Sequence, residues 1–108
     1  MSYNKCMTAF AVLAEPNRRT ILDLLRVRDR SVNELVESLP LTQPTVSKHL
    51  RVLRDAGLVT ARVDAHRRIY QLRAEPLEEI DRWMAPYRAV WAERLDDLTR
   101  HLNAMEEP

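Results

Sequence analysis

The stretch LTQPTVSKHLRVLRDAGLV, residues 41–59, contains most of the information that decides the fold. Thr42 predicts a helix N-cap, and Pro44 fits the first helical turn, where no backbone N–H is needed. Apolar residues recur at i, i+4 and i+7 from Val46, so one side of this helix should face a core. Gly57, the only glycine, predicts the helix end near residue 56, because glycine adopts the left-handed conformation without strain.

Three shorter helices are predicted before this stretch. The first covers about residues 5–14, and the second begins at Glu15-Pro16 and runs to about residue 28. Ser31 and Glu34 match a capping box, which opens a third helix that ends near residue 39. This third helix, a tight turn and the helix over 42–56 together predict a helix-turn-helix.

A β-hairpin and a long last helix are predicted after the glycine. The strand-like segments cover about residues 58–63 and 68–73, and the connection at 64–67 lacks glycine, so a loop longer than a two-residue turn is expected. Pro76 opens the last helix, which runs to about Leu102, and Pro86 should kink it or split it in two. The prediction is a mainly α single domain over residues 1–108, with about five helices and a small β-hairpin wing.

The formal net charge of +1 conceals an uneven distribution. Residues 42–73 carry seven basic and two acidic side chains, whereas residues 74–108 carry four basic and nine acidic ones. This pattern favours a polyanion-binding surface, although unevenly distributed solvated charge explains it as well. No apolar run has the roughly 18 residues that a bilayer span needs, and a secretory signal is missing. A cytoplasmic protein without membrane contact is therefore expected.

The polar side of the helix over 42–56 fits the major groove of duplex DNA. Its amides and hydroxyls can read base edges, its cations can contact phosphate or guanine, and its N-terminus suits a phosphate. The basic hairpin that follows can lie along the minor groove or the backbone. The predicted DNA-binding residues are Thr42, Gln43, Thr45, Ser47, Lys48, Arg51, Arg62, Arg67, Arg68 and Tyr70. The alternative is an amphipathic surface helix followed by solvated arginines, with His49 either on a phosphate or hydrogen-bonded within the domain.

A near-heptad apolar stripe along the last helix predicts a homodimer. A helix over 76–102 is about 40 Å long, more than the small domain can cover, so a partner related by two-fold symmetry is expected. Two recognition helices would then lie about one DNA turn apart. The predicted interface contains Met7, Phe10, Leu77, Ile80, Met84, Tyr87, Trp91, Leu95, Leu98 and Leu102. The alternative is a stripe that packs within one chain.

Two segments of the chain resemble the ArsR-type winged helix-turn-helix repressors. They are LAEPNRRTILDLL at residues 13–25 and the stretch at 41–59, and with the Arg67-Arg68-Ile69-Tyr70 wing the similarity spans about residues 10–72. The resemblance implies a dimer that occupies a pseudo-palindromic operator in double-stranded DNA and blocks transcription. It also implies that the polar residues at 43, 45, 47, 48 and 51 face the DNA.

The metal-binding residues of that family are missing from the matching positions. Many members use cysteine pairs where this chain has Ser31, Val32 and Asn33, and a second site on the last helix lacks its histidine at residues 81–83. A single cysteine, Cys6, also excludes a cysteine-rich zinc site, so no metal and no cofactor are expected. A pairing of Cys6 with His101 across the dimer, and hence a metal-responsive derepressor, stays open as an alternative.

Two further functions are weighed against a DNA-binding repressor. The last helix could serve a protein-interaction adaptor, and its aromatic residues, Trp83, Tyr87 and Trp91, form either dimer core or a pocket for an unknown apolar effector. An enzyme is not expected, because Ser47 and His49 diverge on their helix and the chain has no glycine-rich phosphate loop.

Overall fold

Five helices and a three-stranded antiparallel sheet make up the computed structural model, which describes the backbone of residues 2–106 and the side chains of residues 8–106. The sheet has the strand order β1-β3-β2. The helix ends predicted from the sequence agree with the structure to within a few residues. In chain order the elements are α1 (Ser2–Leu13), α2 (Pro16–Val27), β1 (Arg30–Ser31), α3 (Val32–Ser38), α4 (Gln43–Asp55), β2 (Val59–Asp64), β3 (Arg67–Leu72) and α5 (Glu75–Glu106).

Side-chain caps fix the starts of the three central helices. The Glu15 carboxylate accepts a hydrogen bond from the backbone N–H of Arg18 at 3.0 Å, and Pro16 follows it in the first turn of α2. The capping box of α3 is formed in both directions, between Ser31 and Glu34, at 3.2 Å each. Thr42 caps α4 by accepting from the N–H of Thr45 at 3.4 Å.

The C-terminus of α4 ends in a Schellman motif around Gly57. Gly57 has φ +78°, and its N–H donates to the carbonyl of Arg54 at 3.0 Å. The N–H of Leu58 donates to the carbonyl of Leu53 at 2.9 Å, and both leucine side chains are fully buried. The predicted helix stop is therefore confirmed, and it directs the chain from α4 into β2.

One apolar core joins the four N-terminal helices to the sheet. The face of α4 predicted from its spacing is fully buried at Val46, Leu50 and Leu53. It packs against Ile21 of α2 and Leu35 of α3 within a single cluster of buried side chains. Because this cluster fixes one side of α4, the opposite side of the helix is left to solvent.

The hairpin and the third strand differ from the sequence prediction. Asp64 pairs with Arg67, so only Ala65 and His66 connect β2 to β3, and the expected longer loop is wrong. Ala65 has φ +58° and supplies the positive φ that glycine usually provides in such tight turns. The two-residue strand β1, which the sequence did not predict, pairs with β3 through Arg30 and Ser31.

The last helix is a single element of 32 residues, about 48 Å long at 1.5 Å per residue. Pro86 lies inside it, and of the two outcomes predicted for this proline, a kink or a split, the split does not occur. A proline removes one helical hydrogen bond, and neighbouring turns can keep the helix continuous across that gap. Only its first half packs on the body, mainly against α1, and every residue from 81 to 106 is exposed.

Candidate nucleic-acid interface

The exposed side of α4 presents the polar residues predicted from the sequence. Gln43, Ser47, Lys48 and Arg51 are exposed, as is the cap residue Thr42. Thr45 is half-buried, and its hydroxyl lies 2.9 Å from that of Thr42, so the two hydroxyls are hydrogen-bonded to each other at the start of α4. This end of α4 also carries the positive end of the helix dipole.

A groove of about 710 Å³ lies between α4 and the wing, which consists of β2, β3 and their turn. Three cations of α4 line it at successive helical turns, namely Lys48, Arg51 and Arg54. Arg68 of β3 lines the opposite side. Arg54 was not among the residues predicted from the sequence, although its i+3 spacing from Arg51 indicates a shared helix face.

The cations of this groove have no acidic partner within the part of the chain whose side chains the structure describes. Lys48, Arg51, Arg54 and Arg68 form no ion pair there, and neither does Arg67 at the wing tip. By contrast, the arginines of α5 at positions 82, 88 and 100 each pair with a carboxylate of the same helix. Asp55 also lines the groove without pairing with these cations, so the groove keeps an excess of positive charge, which suits a polyanion.

The wing has two chemically different faces. Arg68 is opposite Val63 in the register and Arg62 is opposite Ile69, so the two arginines lie on opposite faces of the hairpin. Arg62 is paired with Asp29 at 2.9 Å, on the face away from the groove. Val63, at 73% exposure, extends the groove-side face and was missed by the sequence analysis.

Tyr70 lies at the base of the groove between α4 and the wing, with little of its side chain exposed. Its side chain is 7% exposed and belongs to the main core cluster. The preceding residue, Ile69, is also buried, so β3 is covered on both faces at this point. Tyr70 therefore supports the base of the wing from inside, and its contact with DNA stays a prediction.

His49 is held within the protein. It is half-buried, its Nδ1 accepts a hydrogen bond from Nε of Arg18, and its Nε2 lies 4.0 Å from a carboxylate oxygen of Glu15. Of the two roles weighed for this residue, these contacts favour the hydrogen bond within the domain.

The apolar stripe of α5 is exposed over most of its length. Leu77 and Ile80 are half-buried near the body, and Leu77 packs against the core cluster. Phe10 of α1 makes an edge-to-face contact with Trp83, whose ring lies 4.8 Å from that of Tyr87. The predicted interface residues at 84, 87, 91, 95, 98 and 102 are all exposed, and Met105 extends the row. The Met7 side chain, also predicted here, lies outside the described residues.

Two further findings concern metals and membranes. Among the described side chains, residues 8–106, no three His, Cys, Asp or Glu residues cluster as a metal site would require. Cys6 lies outside these side chains. In the same part of the chain, none of the helices is both long and apolar enough to cross a bilayer.

The fold and this surface together define a winged helix-turn-helix protein, with α3 and α4 as the two helices of the motif and the β2–β3 hairpin as the wing. The family model described as "Bacterial regulatory protein, arsR family" matches residues 15–61. The arsenical resistance operon repressor of Staphylococcus xylosus is 40% identical over 81 residues, which are 75% of this chain and 78% of that protein. The chain belongs to the ArsR family, as the sequence resemblance indicated.

Other relatives extend the similarity to nearly the whole chain. An HTH-type transcriptional regulator of Mycobacterium tuberculosis is 34% identical over 99 residues, covering 88% of this chain and 92% of that protein. The solved structure of an ArsR-like transcriptional regulator from Rhodococcus sp. RHA1 gives a TM-score of 0.72 at 28% identity, covering 91% of this chain and 92% of that one. The homodimeric winged helix-turn-helix DNA-binding domain of a possible ArsR-family regulator from Mycobacterium bovis gives 0.64 at 28% identity, over 88% and 85%.

Proposed function

We propose that this protein is a homodimeric repressor that binds double-stranded DNA through α4 and the wing. The observation that carries the proposal is the set of cations without ion pairs that line the groove between these two elements. Lys48, Arg51 and Arg54 approach it from α4 and Arg68 from β3. Duplex DNA carries closely spaced phosphates, and unpaired cations that replace its counterions gain the most from binding.

The exposed start of α4 is the part that would enter the major groove. Gln43, Thr45 and Ser47 offer amide and hydroxyl groups to base edges, which carry distinct donors and acceptors there. Thr42 and the positive end of the α4 dipole suit a phosphate. The groove cations would follow the sugar-phosphate backbone beside α4, with Arg67 and Arg68 reaching the flanking minor groove or backbone. The proposed DNA-binding surface does not include Arg62, which is paired on the other face of the wing, or Tyr70, which is buried.

A second copy of the chain is the proposed occupant of the exposed stripe on α5. The stripe continues the contact between α1 and α5, and exposed apolar rows of this length mark interaction sites. The relative from Mycobacterium bovis is homodimeric, and two-fold symmetry would give each half-site of an operator its own α4.

Repression follows from the position of such a dimer on DNA. Bound across a promoter, it would exclude the transcription machinery, and the Staphylococcus xylosus relative is named as a repressor. The relatives are transcriptional regulators, and we assign this chain no enzymatic activity, a cytoplasmic location and a single domain.

The salt dependence of DNA binding tests this proposal. Fluorescence anisotropy with a duplex from the region upstream of the protein's own gene would give the affinity at several salt concentrations. Each phosphate contact contributes about 0.9 to the slope of log affinity against log salt, so Arg68→Gln should lower the slope by about 1.8 for a dimer. Arg62→Gln is the matched control, because its partner is Asp29, and it should leave the slope unchanged.

Two results would contradict the proposal. One is the absence of binding to any upstream duplex at low salt. The other is a loss of slope in Arg62→Gln that equals the loss in Arg68→Gln, because binding would then not use the groove-side face of the wing.

A further inference from the structure

One guanidinium group links the dimer-side helix α1 to the DNA-facing helix α4. Arg18, in the first turn of α2, donates from Nη1 to the carbonyl oxygen of Val12 at 3.2 Å, at the end of α1. It also donates from Nε to Nδ1 of His49 at 3.3 Å, in the middle of α4. Phe10, two residues before Val12, touches Trp83 of α5. A chain of contacts therefore runs from the stripe of α5 to the helix that carries Lys48.

The hydrogen bond to Arg18 defines which ring nitrogen of His49 carries the proton. Since the Nε–H of an arginine can only donate, Nδ1 of His49 must be unprotonated to accept it. The ring is then neutral, with its proton on Nε2, which faces Glu15 at 4.0 Å. Glu15 already accepts hydrogen bonds from the Arg18 backbone at 3.0 Å and from the Asn17 side chain at 3.2 Å. The imidazole side chain is 14% exposed, so water replaces these partners poorly.

We propose that His49 is a positioning residue for DNA binding, which in its neutral form holds α4 against the end of α1 through Arg18. The proposal rests on the proposed function and adds a form of regulation to it. Protonation of Nδ1 removes the acceptor and places an imidazolium against the Arg18 guanidinium, with two donors facing each other. Glu15 is the other charged group that faces the ring, and it offsets this repulsion in part because it lies at the far nitrogen.

The sign of the pH effect separates this role from a direct contact. A histidine that touches phosphate binds DNA more tightly when it is protonated. A histidine that positions α4 through Arg18 lowers the affinity when it is protonated. Loss of about one net hydrogen bond in each protomer, about 2 kcal/mol for a dimer, predicts a decrease of up to about 30-fold.

The experiment uses the full chain with His66→Gln and His101→Gln, so that His49 is the only histidine left of the three. Affinity for the upstream duplex is measured at constant ionic strength from about pH 8 to about pH 5.5. We expect affinity to fall towards low pH, by up to about 30-fold for a dimer. His49→Gln in the same background keeps a neutral acceptor and should give a flat profile. His49→Phe has no acceptor and should bind weakly at both ends.

The outcomes that overturn the proposal are distinct from a failure of the proposed function. Affinity that rises towards low pH, or a pH profile that His49→Gln leaves unchanged, would overturn it. The ¹⁵N shifts of the imidazole at about pH 8 report the protonation of each ring nitrogen without DNA, and a proton on Nδ1 would overturn it as well. If the chain binds no duplex at all, the proposed function fails, while the shifts still decide the hydrogen bond. Circular dichroism at each pH shows whether the variants stay folded, and His49→Gln suffices if His49→Phe does not fold.

Discussion

Replacement of Leu98 by alanine should weaken the dimer without disturbing the fold of the protomer. Leu98 lies in the distal half of α5, where 53% of its surface is exposed and no other element of the described chain packs. Full burial of a leucine contributes about 1.5–3 kcal/mol, so burial of the exposed half against a partner contributes about 1 kcal/mol. Two-fold symmetry doubles this to about 2 kcal/mol, or roughly 30-fold in the dimer dissociation constant.

Sedimentation equilibrium of wild type and Leu98→Ala measures this difference directly. Alanine has a higher helix propensity than leucine, so α5 should keep its helicity in circular dichroism. Val27→Ala is the control, because Val27 is an exposed aliphatic residue at the end of α2, away from the stripe. A dissociation constant that changes no more in Leu98→Ala than in Val27→Ala would refute the assignment of the stripe to a second copy.

Three further predictions concern the backbone and the capping box. Ala65→Gly should raise the free energy of unfolding by about 0.5–1 kcal/mol in urea denaturation, because glycine relieves the left-handed backbone but costs more entropy on folding. Gly57→Ala should lower it by about 0.5–1 kcal/mol, because the left-handed backbone strains alanine while alanine loses less entropy on folding, and the added Cβ would meet only Pro76 Cγ at 3.7 Å. An unchanged value would contradict the strain argument. The hydrogen bond from Arg28 lowers the pKa of Glu34 from 4.5 to about 2, with a smaller contribution from the Ser31 backbone. The interactions that lower this pKa stabilise the folded state, and their full contribution is present above about pH 5. Glu34→Gln should therefore be less stable than wild type at pH 7, and the difference should disappear as pH falls towards 2. A difference independent of pH would exclude this cause.

Local signals made the helix-turn-helix predictable from the sequence. Thr42 and Gly57 each act within a few residues of their own position, as a cap and as a helix stop, and both are confirmed. The capping box at Ser31 acts at the same short range. The burial of Val46, Leu50 and Leu53 follows from helical spacing, which needs no knowledge of the rest of the chain.

Long-range contacts explain what the sequence did not reveal. The strand β1 has two residues and exists because β3 pairs with it, nearly 40 residues further along the chain. Arg62 resembles the other wing arginines in the sequence, and only the structure shows that Asp29 pairs with it. Tyr70 is buried together with its neighbour Ile69, which breaks the alternation that a one-sided hairpin would show.

Tolerated local strain explains the remaining differences. Ala65 adopts a positive φ, so the absence of glycine did not lengthen the hairpin turn. Pro86 removes one backbone hydrogen bond inside α5, and the 32-residue helix continues across it. At Ala65 and at Pro86, the hydrogen bonds of neighbouring residues outweigh the conformational preference of the residue itself.

Hydroxyl-radical footprinting of the protein on its upstream duplex tests most directly whether a dimer presents two α4 helices to one side of DNA. We predict two protected patches on one face of the duplex, about one helical turn apart, that appear together as protein is added. A single protected patch that appears at one protomer per duplex would contradict the account.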